Sequence, residues 1–146
     1  MAEATFTFRL VTPQRMLLEA PVTALQAPGS EGYLGVLAHH APLITSLRPG
    51  RLEVRDETGK RTFYAVSGGF LEVSGNRATV LADAAERAGE IDVARAKSAA
   101  ERAQERLRGS GAASGPPEES AIDRERAMRA LERAKNRLAA AISERR

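Results

Sequence analysis

A change of rhythm near residue 88 constrains this chain more than any other feature. Before it, apolar and polar residues alternate in short runs broken by glycine and proline; after it, alanine, arginine and glutamate recur at helical spacing. Period two sends successive side chains to opposite faces of a strand, whereas a period of 3.6 lines one face of a helix, so no single element spans the change. The stretch V-L-A-D-A-A-E-R-A-G-E-I-D-V-A-R-A at 80–96 carries the hand-over. The expected class is α+β, with an antiparallel β-sandwich or flattened barrel over 1–87 and a two-helix antiparallel hairpin over 88–146.

T-F-T-F-R-L at 5–10 alternates from its first residue and predicts a half-buried strand that Pro13 ends. A second strand is expected over 22–27, stopped by Pro28-Gly29. The segment P-G-S-E-G-Y-L-G-V-L-A-H-H-A-P-L at 28–43 holds too much glycine and proline for a helix and suits tight turns and close backbone approach. L-E-V-R at 52–55 and T-F-Y-A-V at 62–66 flank D-E-T-G, a hairpin turn in which Gly59 can take positive φ. Gly68-Gly69 reads as a break, 70–73 resumes the strand, S-G-N at 74–76 turns the chain, and 77–81 closes the series. Short strands at this turn spacing indicate a sandwich or barrel.

In the tail, Val93, Ala96, Ala100, Ala103 and Leu107 make one stripe, with Asp92 as the expected N-cap. G-S-G-A-A-S-G-P-P from Gly109 predicts a flexible linker over 109–119. S-A-I-D at 120–123 reads as a capping box before a second stripe at Ala127, Leu131, Ala134, Leu138 and Ala141. Alanine favours each helix but buries little area, so the pair is expected to be helical yet weakly held together.

Composition narrows the function. There is no cysteine or tryptophan, and aromatics make up 4% of the chain. Disulfides, thiolate metal sites and Cys nucleophiles are thereby excluded. No apolar run approaches the roughly 18 residues of a membrane span, and the first residues lack the pattern of a secretory signal, so a soluble intracellular protein is expected. Residues 1–87 carry equal numbers of acidic and basic side chains, and the net +3 lies entirely in 88–146. A freestanding nucleic-acid binder using that tail is the alternative reading, weakened by interspersed glutamates and sparse rings.

Candidate chemistry is thin. His39-His40 lacks further ligands at metal-binding spacing. Gly29, Gly32 and Gly35 lack the strand–loop–helix context of a phosphate loop, and Ser67-Gly68-Gly69 lacks triad partners. Asp83 and Glu86 read as turn and helix-start groups. No catalysis and no metal site are expected. Arginines are the exception: Arg95 and Arg102 share a helix face, and Arg129, Arg133 and Arg137 form a ladder of like charges. The plain reading is a solvated face relieved by Glu105, Glu125 and Glu132. The sharper one is that Arg95, Arg102, Arg133 and Arg137 surround a polyanion, since guanidinium forks suit phosphate oxygens.

Three blocks, at 28–50, 64–73 and 80–96, together with E-R-A-K-N-R-L at 132–138, resemble the ε subunit of bacterial F-type ATP synthase. The resemblance implies a non-catalytic rotor subunit whose β-sandwich binds the γ subunit and the c-ring. It implies a helical tail that lies folded or extends toward the α and β subunits of the catalytic head, where it restrains ATP hydrolysis. It also implies a peripheral place on the cytoplasmic side of the cell (inner) membrane, reached only through the complex. The family's I/L-D-x-x-R-A motif stands here as I-D-V-A-R-A at 91–96. Carried over by position, Glu86, Ile91, Asp92, Arg95, Ala96, Arg102, Arg133 and Arg137 are the candidate ATP-binding residues. ATP with Mg would be a regulatory ligand and no cofactor would be obligatory.

Overall fold

The computed structural model describes residues 3–109 and 117–144. Seven strands come first: β1 (Phe6–Val11), β2 (Met16–Gly29), β3 (Gly32–Leu37), β4 (Leu43–Asp56), β5 (Arg61–Ser74), β6 (Arg77–Ala82) and β7 (Ala85–Arg87). A 3-10 turn, Ala88–Glu90, leads to α1 (Val93–Gly109) and α2 (Pro117–Glu144).

The strands form one sheet in the order β1-β6-β5-β4-β2-β3, with β7 paired to β5. β1 pairs with both β6 and β2, so the path closes into a flattened barrel. Every pairing is antiparallel except β1 with β6. Alternation in β1 drives Phe6, Phe8 and Leu10 into the barrel, where Leu25, Leu52, Val66, Leu71 and Val80 meet them. Fully burying a side chain of this size stabilises the fold by about 1.5–3 kcal/mol. The barrel core is therefore mostly aliphatic, with Phe6, Phe8 and Tyr64 as its rings.

Several strands run past their expected limits. β2 starts at Met16 because its first half pairs with β1, from Phe6↔Val22 to Leu10↔Leu18, although M-L-L-E-A shows no clean alternation. The glycine-rich segment contains strand β3, held on β2 from Ala24↔Leu37 to Gly29↔Gly32. Gly68-Gly69 does not end its strand; β5 passes through both residues. Gly69 has φ +121, and a Cβ there would stand 2.0 Å from the Leu81 carbonyl oxygen, so only glycine lets β6 lie this close. The D-E-T-G hairpin is as expected, with Gly59 at φ +85 and Asp56 Oδ1 accepting from the amides of Thr58 and Lys60.

Strand β5 also connects the two modules. Tyr64 and Val66 point into the barrel, whereas Phe63 and Ala65 lie in a second cluster with Ala88, Ile91, Ala96, Ala140 and Ala141. Period two thus gives one strand a core on each side. α2 rests on that outer face and α1 packs against α2, so the hairpin is folded against the sheet.

At α1 the expected cap is present: the Arg95 amide donates to Asp92 Oδ1 at 3.0 Å. Ala96, Ala103, Ala127, Ala134 and Ala141 are buried, as both stripes require. The second helix begins earlier than expected. Pro117 opens α2, so position 120 lies inside the helix rather than at its start; proline tolerates the first turn because the amide it lacks has no partner there. Gly109 is the last residue of α1, and 117–119 belong to α2, which removes both ends of the expected 109–119 linker. Its middle, 110–116, lies outside the described residues.

Candidate functional site

Small residues at the helix–sheet junction leave a cleft of about 330 Å³ between the outer face of β5, β7 and the hairpin. Ala65 and Ser67 of β5, Ala99 of α1, and Ala130 and Ala134 of α2 line it, and none fills it. Register places the first charge. Glu86 pairs with Ala65 across β5–β7, and cross-strand partners share a face, so its carboxylate points toward the helices.

Arg137 meets it as a fork. Its Nε donates to Glu86 Oε2 at 2.8 Å and its Nη2 to Oε1 at 3.0 Å. Both partners are about one-third exposed, so the pair is directional but open to screening. Arg133, one turn earlier, lines the same cleft and is exposed. Arg129, a further turn back, is held within α2 by Glu125 at 2.5 Å. The ladder therefore divides: one arginine is neutralised along the helix, and two face the cleft.

Of the eight residues expected to bind ATP, Glu86, Arg133 and Arg137 come together here. Ile91 and Ala96 are buried in the second cluster and form the hairpin's footing. Asp92 caps α1. Arg95 and Arg102 are exposed and do not line the cleft. Glu86, expected as a helix-start group, lies instead in β7 and in the ion pair. His39 takes φ +64, its amide donating to Asn76 Oδ1 at 2.8 Å, and a ring nitrogen of His40 lies 2.7 Å from the Ala41 carbonyl.

Other contacts between α2 and the sheet were not foreseen. Asn136 Nδ2 donates to the carbonyls of Gly50 and Val66. The Arg51 guanidinium, stacked 5.4 Å from the Phe63 ring centre, donates to the Ser143 hydroxyl. Glu144 lies 3.8 Å from Arg87. Burial pushes the nearby Tyr64 phenol above its usual value, with Arg87 opposing the shift and Glu144 and Glu90 adding to it. Two sequence signals pointed here: F-Y-A-V at 63–66 is apolar on both faces of a strand, and Asn136 is a weak helix former amid alanine and leucine.

The family model for the ATP synthase delta/epsilon chain beta-sandwich domain matches residues 5–88. That for the delta/epsilon chain long alpha-helix domain matches 90–142. The ATP synthase epsilon chain of Desulforamulus reducens is 47% identical over 132 residues, covering 90% of this chain and 93% of that protein. The epsilon chain of Moorella thermoacetica is 46% identical over 138 residues, covering 94% and 97%. Among solved structures, a chain in the Euglena gracilis mitochondrial ATP synthase (OSCP/F1/c-ring) aligns with TM-score 0.79 at 30% identity, over 97% of this chain and 84% of that one.

Proposed function

The chain belongs to the epsilon-chain family of ATP synthase, and from that premise we propose that it is a non-catalytic subunit of the rotor whose hairpin regulates ATP hydrolysis. In this reading the barrel docks on the γ subunit and the c-ring and transmits rotation. The hairpin folds on the barrel in one state and extends toward the α and β subunits in the other. The chain reaches the cytoplasmic side of the membrane through that complex; none of the described helices is long and apolar enough to cross a membrane.

The observation that carries the regulatory reading is how the hairpin is docked. Its footing is mostly alanine, and its tie to the sheet is a set of polar bonds at a cleft edged by Arg133 and Arg137. Such a contact is specific in geometry but modest in energy, which suits an element with two positions. We assign the cleft as the place where ATP, with Mg, engages Arg133 and Arg137. Arg95 and Arg102 would approach from α1. A ligand that binds the folded state better shifts the populations only as far as that difference in affinity.

The test is reconstitution. A chain truncated after Ala88 and mixed with the α, β and γ subunits should assemble and hydrolyse ATP faster than the complex with the full chain. Unchanged hydrolysis removes the inhibitory role. For the nucleotide, Arg133→Ala and Arg137→Ala should each weaken ATP binding by the full chain about tenfold or more, as loss of a charged hydrogen bond does. Parent-like affinity in both removes the site.

A further inference from the structure

We propose that Asn136 is the latch holding the hairpin on the sheet, and that it works without any bound anion. The inference deepens the regulatory reading above and rests on it for its consequence, though the contact is a property of this chain alone. Asparagine is a poor choice inside a helix, because its amide competes with the main chain. At this position the amide works elsewhere. Nδ2 donates to the Gly50 carbonyl at 2.9 Å and to the Val66 carbonyl at 3.1 Å, which uses both of its hydrogens. Gly50 and Val66 are direct partners in the β4–β5 ladder, so one side chain bridges two strands.

The neighbouring ties differ in kind. Arg137 grips Glu86, Ser143 accepts from Arg51, and Glu144 faces Arg87. Arg137, Glu86, Arg87 and Glu144 are all partly exposed, so water competes for these ion pairs more readily than for a bond to buried main chain. Gly50 and Val66 are buried residues whose carbonyls already accept across the β4–β5 ladder, so Asn136 adds a second bond to each, shielded from water for as long as α2 covers them. Once the hairpin leaves, water reaches them. Losing the amide is therefore penalised in the docked state and not in the undocked one, which is the differential interaction a two-position element responds to.

The chain has no cysteine, so a pair can be added cleanly for spin labels: Glu57→Cys at the β4–β5 turn and Arg124→Cys on α2, both exposed positions. Distance distributions are measured on the full chain in nucleotide-free buffer. Asn136→Asp keeps the side chain's shape, removes both donors and sets a carboxylate against two carbonyl oxygens. It should raise the ratio of undocked to docked molecules on the order of tenfold or more. Asn136→Ala, a better helix former, should shift the ratio in the same direction. Lys135→Asp, at the exposed neighbouring position, should leave it within about twofold. Hydrogen exchange in the barrel strands should not change in any of them. An unchanged distribution in Asn136→Ala overturns the latch, and so does an equal shift in Lys135→Asp and Asn136→Asp. The ATP titration of Arg133→Ala, with Asn136 intact, reads the nucleotide site separately, so either idea can fail while the other stands.

Discussion

At Gly69 a hydrogen atom is all the space allows: a methyl group would press on the Leu81 carbonyl from a backbone conformation that L-residues avoid. Gly69→Ala should destabilise the barrel by about 3 kcal/mol or more, read as a lower urea midpoint with little change in slope. Two carboxylates at the other end of the same strands contribute stability that acid removes. A hydrogen bond from Arg61 holds Glu53 below its usual value against the cost of desolvation, helped by the charges of Arg61, Arg51 and Arg55. The Thr58 hydroxyl does the same for Asp56, also against desolvation, with the amides of Thr58 and Lys60 adding to it. Both groups release protons more readily in the folded chain than in the unfolded one. Their contribution is complete above the unfolded values of 4.5 and 3.8 and is lost as pH falls through the lower folded ones. Urea midpoints measured from pH 6 downward should fall below about pH 4.5, and Glu53→Gln with Asp56→Asn should flatten that slope.

Elements behave as the strength of their footing dictates. Asp92→Ala removes the only side-chain cap described on α1 and should cost about 1 kcal/mol, seen as faster amide exchange in the first turn of that helix. In the parent, amides of α1 and α2 should exchange faster than those of β1, β5 and β6, because alanine contacts hold the hairpin and large side chains fill the barrel. Equal protection of helices and strands would overturn the idea of a weakly held hairpin. How well the sequence revealed each element follows from the same local physics. β1, the turn at 56–59, the Asp92 cap and both alanine stripes were legible because each is fixed by its own residues. The start of β2, strand β3 and the passage of β5 through Gly68-Gly69 were hidden, since pairing with distant strands decides them and glycine carries no pattern. The capping box at 120–123 misled for the opposite reason: it is a valid local signal inside a helix that Pro117 had already begun. Spacing selected four arginines, of which Arg133 and Arg137 line the cleft and Arg95 and Arg102 do not. The carboxylate between helix and sheet depended on strand register, and the Asn136 contact on two carbonyls that no sequence displays.

For the molecule as a whole, the barrel core is built without the hairpin, from residues between Phe6 and Ala82. The chain truncated after Ala88 should therefore keep a cooperative unfolding transition and its strand signal by circular dichroism, while exposing Phe63 and Ala65. Loss of the transition would show that the hairpin is part of one folding unit. The single parallel pairing among the described residues, Thr7↔Arg77 to Val11↔Leu81, joins the beginning of the barrel to its end. On the ribosome the first strand can fold back on the second at once but must then wait for about fifty to sixty more residues before its other edge is covered. Until then a nascent chain carries an open β edge beside two phenylalanines, and that interval is when it most needs protection from its neighbours on the same message.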